Sequence, residues 1–309
     1  MTTPTTDLAA QTEIATAPKR RLGMRPPRRR PREREEGYTV NWGLTALIAA
    51  ASITVLVPLY FTIAMALKSA EEAATGTGFS LPWPLRFQNF ADAWTLTNFD
   101  RALLISALIT AVTVAGLIFL ASTAAFAIAR NWERRLFRYS YFYLLAAMFI
   151  PFPVIALPQI KLMSLAGLSN PVGVAILHIL FGLSFNILLY SAFIRSIPYE
   201  LEESARLDGA TTWQVFWKLV FPLLAPMNAT VGIFAFLQSW NDFMMPSLII
   251  ANPAQATIPV VQNIFQSQFS ANYNVAFASY LMAMAPTVIA YLFAQRWVMS
   301  GVTRGAVKG

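Results

Sequence analysis

The chain is laid out as long apolar blocks separated by short polar stretches. The blocks show neither the alternation of half-buried strands nor the narrow stripe of amphipathic surface helices. Six of them run near residues 43–67, 102–129, 139–157, 172–194, 222–250 and 276–299. About 20 helical residues cross the ~30 Å hydrocarbon core of a bilayer, and every block is of that order. The pattern therefore predicts an all-α, polytopic membrane protein with six transmembrane helices. Pro58, Gly116, Pro151, Pro153, Gly182, Pro226 and Pro286 fall inside the blocks. A helix bundle tolerates such residues because neighbouring groups satisfy the freed backbone. They are expected to mark kinks.

The polar stretches set domains and orientation. Residues 1–41 are rich in Thr, Pro and Arg, and the run Lys19–Arg34 holds most of the excess positive charge. That segment is too polar to fold alone and is expected to be a disordered, basic cytoplasmic tail. It lacks the interleaved aromatics of a nucleic-acid binder. Residues 42–309 form the six-span domain. Basic residues recur in the 130–138 loop (Arg130, Arg134, Arg135, Arg138), in the 195–218 loop (Arg195, Arg206, Lys218) and at the C-terminus. The intervening loops are poorer in Lys and Arg, and 251–275 has no charged residue. The positive-inside rule then puts both termini in the cytoplasm, in agreement with an even number of spans. In the loop 68–101, Pro82 and Pro84 exclude a regular helix, whereas Asn89–Trp94 suits a short interfacial one.

Composition narrows the chemistry. Of 309 residues, 56% are hydrophobic and 12% charged, too little charge for the surface of a soluble domain. There is no cysteine, which removes disulfides and thiolate chemistry. The single histidine, His178, lies in an apolar block and reads as a packed polar residue; a metal site needs several convergent donors. No metal ligand or catalytic residue is assigned. No G-x-x-x-x-G-K-[ST] phosphate loop occurs, so ATP, where used, binds another subunit.

One segment stands apart. EESARLDGATTWQVFWKLVFPLLAP, Glu202 to Pro226, lies in the coupling loop 195–221 and runs into the fifth block. Pro198 suits a first helical position, and Glu200, Glu202 and Glu203 then lie in the opening turns, near the positive helix end. Gly209 fits the left-handed position that ends a helix. Thr211 and Gln214 make a T-x-x-Q capping box for a second helix, in which Trp213, Phe216, Trp217 and Val220 recur at helical spacing. Leu201, Ala205 and Leu207 provide a small apolar strip. An acidic helix is ill suited to an anionic inner leaflet, so a protein partner is the better expectation.

The same residues resemble the EAA-loop signature of ABC importer permeases: Glu-Ala-Ala, three residues, Gly, nine residues, Ile-x-Leu-Pro. Here it reads Glu203-Ser204-Ala205, then Gly209, then Leu219-Val220-Phe221-Pro222. Leu201–Ala210, Trp240-Asn241-Asp242 and the ending Gly305–Gly309 are similar to the carbohydrate importers of the maltose-permease class, on the MalG-like side. The resemblance covers roughly residues 40–309. It implies a subunit of the bacterial cell membrane that works with a second, MalF-like permease, two ATPase subunits carrying ATP and magnesium, and an external sugar-binding protein. It also implies that Glu200, Leu201, Glu202, Glu203, Ala205, Leu207, Asp208, Gly209 and Ala210 couple the chain to an ATPase.

Polar residues inside spans are costly and often functional. Asn186 in span four and Gln238, Trp240, Asn241 and Asp242 in span five are the candidates for the solute path, since amides and aromatic faces suit sugars. The alternatives are a secondary transporter driven by ions, for which Asp242 and His178 are the only buried titratable groups, and an ABC importer of glycerol phosphate.

Overall fold

The computed structural model describes residues 41–267 and 272–306, and the basic tail lies outside them. The described residues contain helices and no strands. They are α1 (Trp42–Ala66), α2 (Ala70–Thr75), α3 (Gln88–Leu96), α4 (Phe99–Arg130), α5 (Arg135–Ala147), α6 (Phe152–Leu165), α7 (Pro171–Ser196) and α8 (Glu200–Leu207). After α8 come α9 (Thr212–Val215), a π-helical turn (Phe216–Val220), α10 (Phe221–Leu223), α11 (Ala225–Asn241), α12 (Met244–Ile249), α13 (Ile258–Gln262), α14 (Ile264–Ser267) and α15 (Tyr273–Ala306). The chain divides into two units, 1–53 and 54–309. Of the first, the described part is the exposed opening half of α1; the second holds the packed bundle.

Among the described residues, four helices are long and apolar enough to span a membrane: α1, α4, α7 and α15 over Tyr273–Phe293. Two more candidates are bent pairs. Arg135–Ala147 and Phe152–Leu165 meet at 102°, and Thr212–Leu223 meets Ala225–Asn241 at 75°. Six spans result when each bent pair is counted as one.

The blocks near 139–157 and 222–250 thus differ from the continuous helices that the sequence predicts. Pro151 is extended at ψ 137 and starts α6 after a break. Proline disfavours the helical region for the residue before it and lacks an N–H, so Pro151 and Pro153 together end one helix and begin another. In the second case Asp242 ends α11 at ψ 121, and its Oδ1 accepts hydrogen bonds from the Met244 and Met245 amides at 3.0 and 3.4 Å.

The other marked positions do not break their helices. Pro58 and Pro286 lie inside unbroken helices, and Gly116 and Gly182 lie in α4 and α7, also unbroken. Both glycines instead permit close approach of these two helices. A Cβ at Gly116 would meet Ile179 Cδ1 at 2.4 Å, and one at Gly182 would meet Leu117 Cδ1 at 2.8 Å. Small residues at such crossings are how membrane helices bring their backbones together. Leu117, Ala121, Ala125, Ile187, Tyr190 and Ile194 fill the resulting core, with Val231 and Ala235 of α11 joining it.

The loop after α1 is more structured than the sequence suggests. Ser69 and Glu72 form a capping box that starts α2, and α3 extends the expected Asn89–Trp94 helix to Gln88–Leu96. Asn89 ties the loop down: its amide donates to Ala66 O and Lys68 O at 2.8 Å, and its Oδ1 accepts from Asn274 at 2.8 Å.

Candidate functional site

The segment that stands out in the sequence folds as a helix, a tight turn and a second helix. α8 opens one residue after Tyr199, so Pro198 lies outside it rather than at its first position. Glu200, Glu202 and Glu203 all fall in its first turn. Gly209 has φ +83, the left-handed conformation that a side chain disfavours. The Gly209 amide donates to Arg206 O and the Ala210 amide to Ala205 O, each at 3.0 Å. This pair of bonds is a Schellman closure, which satisfies two carbonyls that the helix end would leave open. Two residues on, the Thr211 hydroxyl accepts from the Gln214 amide and the Gln214 side chain accepts from the Thr211 amide. Both turn signals are local in sequence, and both form as the sequence predicts.

The carboxylates do not share one role. Glu203 and Glu200 are exposed, but Glu202 is 0% exposed. Glu202 Oε1 receives Arg130 Nε and Nη2, each at 2.7 Å, and Arg206 Nη2 lies 3.7 Å from its other oxygen. Arg130 also donates to Ile197 O at 3.3 Å. The pair joins the first turn of α8 to the last residue of α4, 72 residues earlier in the chain. The apolar strip is split too. Ala205 turns inward onto the core, whereas Leu201 and Leu207 remain exposed, Leu207 at 89%. α8 thus presents Glu200, Glu203, Leu207 and Asp208 outward and is pinned from behind by Glu202.

Aromatic contacts fix the second half of the segment. Phe216 lies 5.2 Å from Phe126, and Trp217 stacks on Phe119 at 5.7 Å, so α4 grips this half as well. The π turn at Phe216–Val220 and the bend at Leu224 then redirect the chain into α11. Arg195 caps the neighbouring surface by stacking 4.0 Å over the Trp132 ring. Arg130 and Arg195 carry no local sequence signal beyond being basic residues at the ends of apolar blocks; their partners come from distant segments.

The candidate path residues are distributed. Asn186 is buried and donates to Gly182 O at 2.8 Å. Trp240 is buried, stacks on Phe236 at 5.5 Å and donates its indole N–H to Ala283 O at 3.2 Å. Gln238 and Asn241 are exposed. Trp240 and Asn241 line a cavity of about 280 Å³ with Gln262, Tyr280 and Thr287, three polar residues that the sequence reading leaves out. Gln262 carries no sequence signal, since it lies in an uncharged loop far from α11.

Asp242 lies among buried polar groups. Its Oδ2 is 2.8 Å from His178 Nε2, and His178 Nδ1 is 3.0 Å from Ser239 Oγ, which accepts from Thr110 at 3.3 Å. The sequence suggests no Ser-His-Asp set, yet the fold assembles one. Ser239 and His178 are both buried, so the set closes the α4–α7–α11 junction as a hydrogen-bonded strut. Among the described residues no group of three or more His, Cys, Asp and Glu could hold a metal ion.

Residues 117–304 match the family described as "Binding-protein-dependent transport system inner membrane component". The chain belongs to this family. This inner membrane component is 33% identical to the multiple sugar-binding transport system permease protein MsmG of Streptococcus mutans, over 89% of its own length and 100% of the relative's. It is 31% identical to the melibiose/raffinose/stachyose import permease protein MelC of Bacillus subtilis, over 86% of its length and 96% of the relative's. Among solved structures, a chain of a bacterial ABC transporter involved in the import of the acidic polysaccharide alginate superposes with a TM-score of 0.69 at 23% identity. That match covers 83% of this chain and 96% of the other, and it shows that the inner membrane component shares the fold.

Proposed function

We propose that this chain is one of two membrane-spanning subunits of an ATP-driven importer for an oligosaccharide or related sugar. In this reading an external binding protein delivers the solute, and two ATPase subunits, carrying ATP and magnesium, drive its passage. The observation that carries the proposal is the mounting of α8. Its outward face offers Glu200, Glu203, Leu207 and Asp208 to a partner, while Glu202 and the Schellman turn at Gly209 hold it against the bundle. A push on α8 reaches α4 through the Arg130–Glu202 pair and α11 through the aromatic elbow. The chain would then need no fuel site of its own. In the same reading both termini and α8 are cytoplasmic, since the positive-inside rule assigns the Arg-rich 130–138 and 195–218 loops to that side.

Sugar as the solute class rests on the relatives' names and on the path residues. Asn241, Gln262, Tyr280 and Thr287 supply amides and hydroxyls around a cavity beside Trp240, without a cation to select phosphate. That favours a neutral sugar over glycerol phosphate.

The His178–Asp242 contact favours the ion-driven alternative, since proton relays use such pairs. The discriminating experiment is uptake of radiolabelled raffinose, maltotriose and diacetylchitobiose by cells carrying the full transporter. The proposal expects at least one to accumulate after ion gradients are collapsed, and to stop when ATP is depleted. Accumulation that follows the ion gradient instead would overturn it.

A further inference from the structure

We propose that the cavity between the Arg130 end of α4 and the corner of α8 and α9 binds the phosphate headgroup of an anionic phospholipid. The cavity has a volume of about 580 Å³, and its wall includes Arg130, Arg206, Thr212, Trp213, Phe126 and Phe216. Both charged residues of the wall are arginines; no carboxylate lines it. Their shared counter-charge, Glu202, is 0% exposed and sits behind them, so two guanidinium groups stand against one carboxylate. The other acids of α8 face outward and do not reach the wall.

The guanidinium groups are also held in place. Arg130 and Arg206 lie 5.7 and 5.6 Å from the centroid of the Tyr199 ring, and Arg206 Nη1 donates to the Tyr199 hydroxyl at 2.8 Å. Arg130 is 12% exposed and Arg206 38%, so the first is a fixed wall and the second can still reach a ligand. Thr212 adds an exposed hydroxyl, and Trp213 and Phe216 add an aromatic floor.

Depth identifies the ligand as a lipid. A straight helix as long as α4 measures about 48 Å, more than a ~30 Å hydrocarbon core, and the charged Arg130 closes its apolar run. Arg130 is its last residue, which puts the cavity at headgroup level. In the orientation proposed above, that is the cytoplasmic leaflet, where anionic lipids concentrate and basic pockets between helices recognise their headgroups. Trp213, the exposed aromatic of the wall, then meets the first methylenes of the acyl chains. A bound phosphate would brace the Arg206 side of α8, as Glu202 already braces the Arg130 side.

The proposal rests on the importer reading only for the leaflet. Its test needs neither ATPase nor solute: the purified full chain is titrated with phosphatidylglycerol and with phosphatidylcholine in detergent, and bound lipid is counted by native mass spectrometry. Phosphatidylglycerol should bind at least tenfold tighter. Arg206→Gln should remove about tenfold of that affinity, the usual scale for a charge-assisted hydrogen bond. Lys218→Gln, a nearby cation outside the cavity wall, should leave it unchanged. Thr212→Val keeps the charge and should give a smaller loss of the same sign, which covers the case that Arg206→Gln misfolds. Equal binding of the two lipids, or equal losses in Arg206→Gln and Lys218→Gln, would overturn the proposal. So would inorganic phosphate at millimolar concentration displacing the lipid completely, which would mark a site for a free anion. Unchanged lipid binding in Arg206→Gln would likewise overturn it and leave protein docking as the use of the cavity.

Discussion

At the scale of single residues, Gly209 and Arg130 bear the most weight. Nothing lies within 4 Å of a Cβ built on Gly209, so a substitution there meets no steric wall; the backbone conformation itself resists it. Forcing a β-branched residue to φ +83 costs about 1–2 kcal/mol or displaces the turn. Gly209→Val should therefore lower uptake and ATPase coupling while membrane insertion, measured by fractionation and protease protection, stays intact. Arg130→Met leaves Glu202 buried without its main partner, for which about 3–5 kcal/mol is typical. Arg206, at 3.7 Å and partly exposed, offers Glu202 only a longer, solvent-screened contact. The double change Arg130→Met with Glu202→Met removes both charges and should recover most of the lost thermal stability in detergent, without recovering coupling. Equal destabilisation by the single and double changes would show that the pair does not act as a unit.

Glu72 gives a pH-dependent expectation at the same scale. The hydrogen bond it accepts from the Ser69 amide holds its carboxyl below the ordinary value, helped by the Ser69 hydroxyl and the nearby Lys68 and Arg86 charges. A carboxyl with a depressed folded pKa stabilises the fold above its unfolded pKa, and this contribution fades as pH falls through the folded one. The protection of the Ala73 and Gly76 amides, bonded to Ser69 O and Glu72 O, should fall relative to their intrinsic exchange rates in acid below the ordinary value of 4.5. Glu72→Gln should remove that pH dependence.

At the scale of elements, the junction of α4 and α7 is set by small residues. Gly182→Leu would drive a side chain into Leu117 across this close crossing. Overpacking of this kind costs about 1–3 kcal/mol, so the purified chain should show a clear drop in unfolding temperature. Gly167→Ala is the contrast: Gly167 has open surroundings, and its φ of +69 makes the cost conformational instead.

What was legible in the sequence divides along the same line. The capping box at Thr211 and the left-handed end at Gly209 are decided within a few residues, and both are read correctly. The apolar blocks place α1, α4 and α7 within about three residues at each end, but miss the ends of the two bent pairs by up to about ten. Prolines were legible only as perturbations: Pro151 produces a break, whereas Pro58 and Pro286 leave their helices whole. The difference lies in the surrounding turn, where Pro151 and Pro153 act together. Gly116 and Gly182 needed the partner helix to reveal their role. The Arg130–Glu202 and His178–Asp242 pairs join residues 72 and 64 positions apart, and no local pattern encodes such distances.

At the scale of the molecule, the bundle divides its polar groups by task. His178, Ser239 and Asp242 close the interior near the start of α7 and the end of α11. Arg130 and Glu202 anchor the opposite end of α4, where α8 offers its remaining carboxylates outward. In the proposed importer such a chain receives motion from outside itself. The most direct measurement inserts a photo-crosslinking amino acid at Leu207, the most exposed apolar residue of α8, and illuminates native membranes. The account predicts one dominant adduct, with a nucleotide-binding subunit, whose yield changes when ATP is added. Adducts with external proteins, or labelling of a Leu207→Cys variant by a membrane-impermeant reagent in intact cells, would place α8 on the wrong side and contradict it.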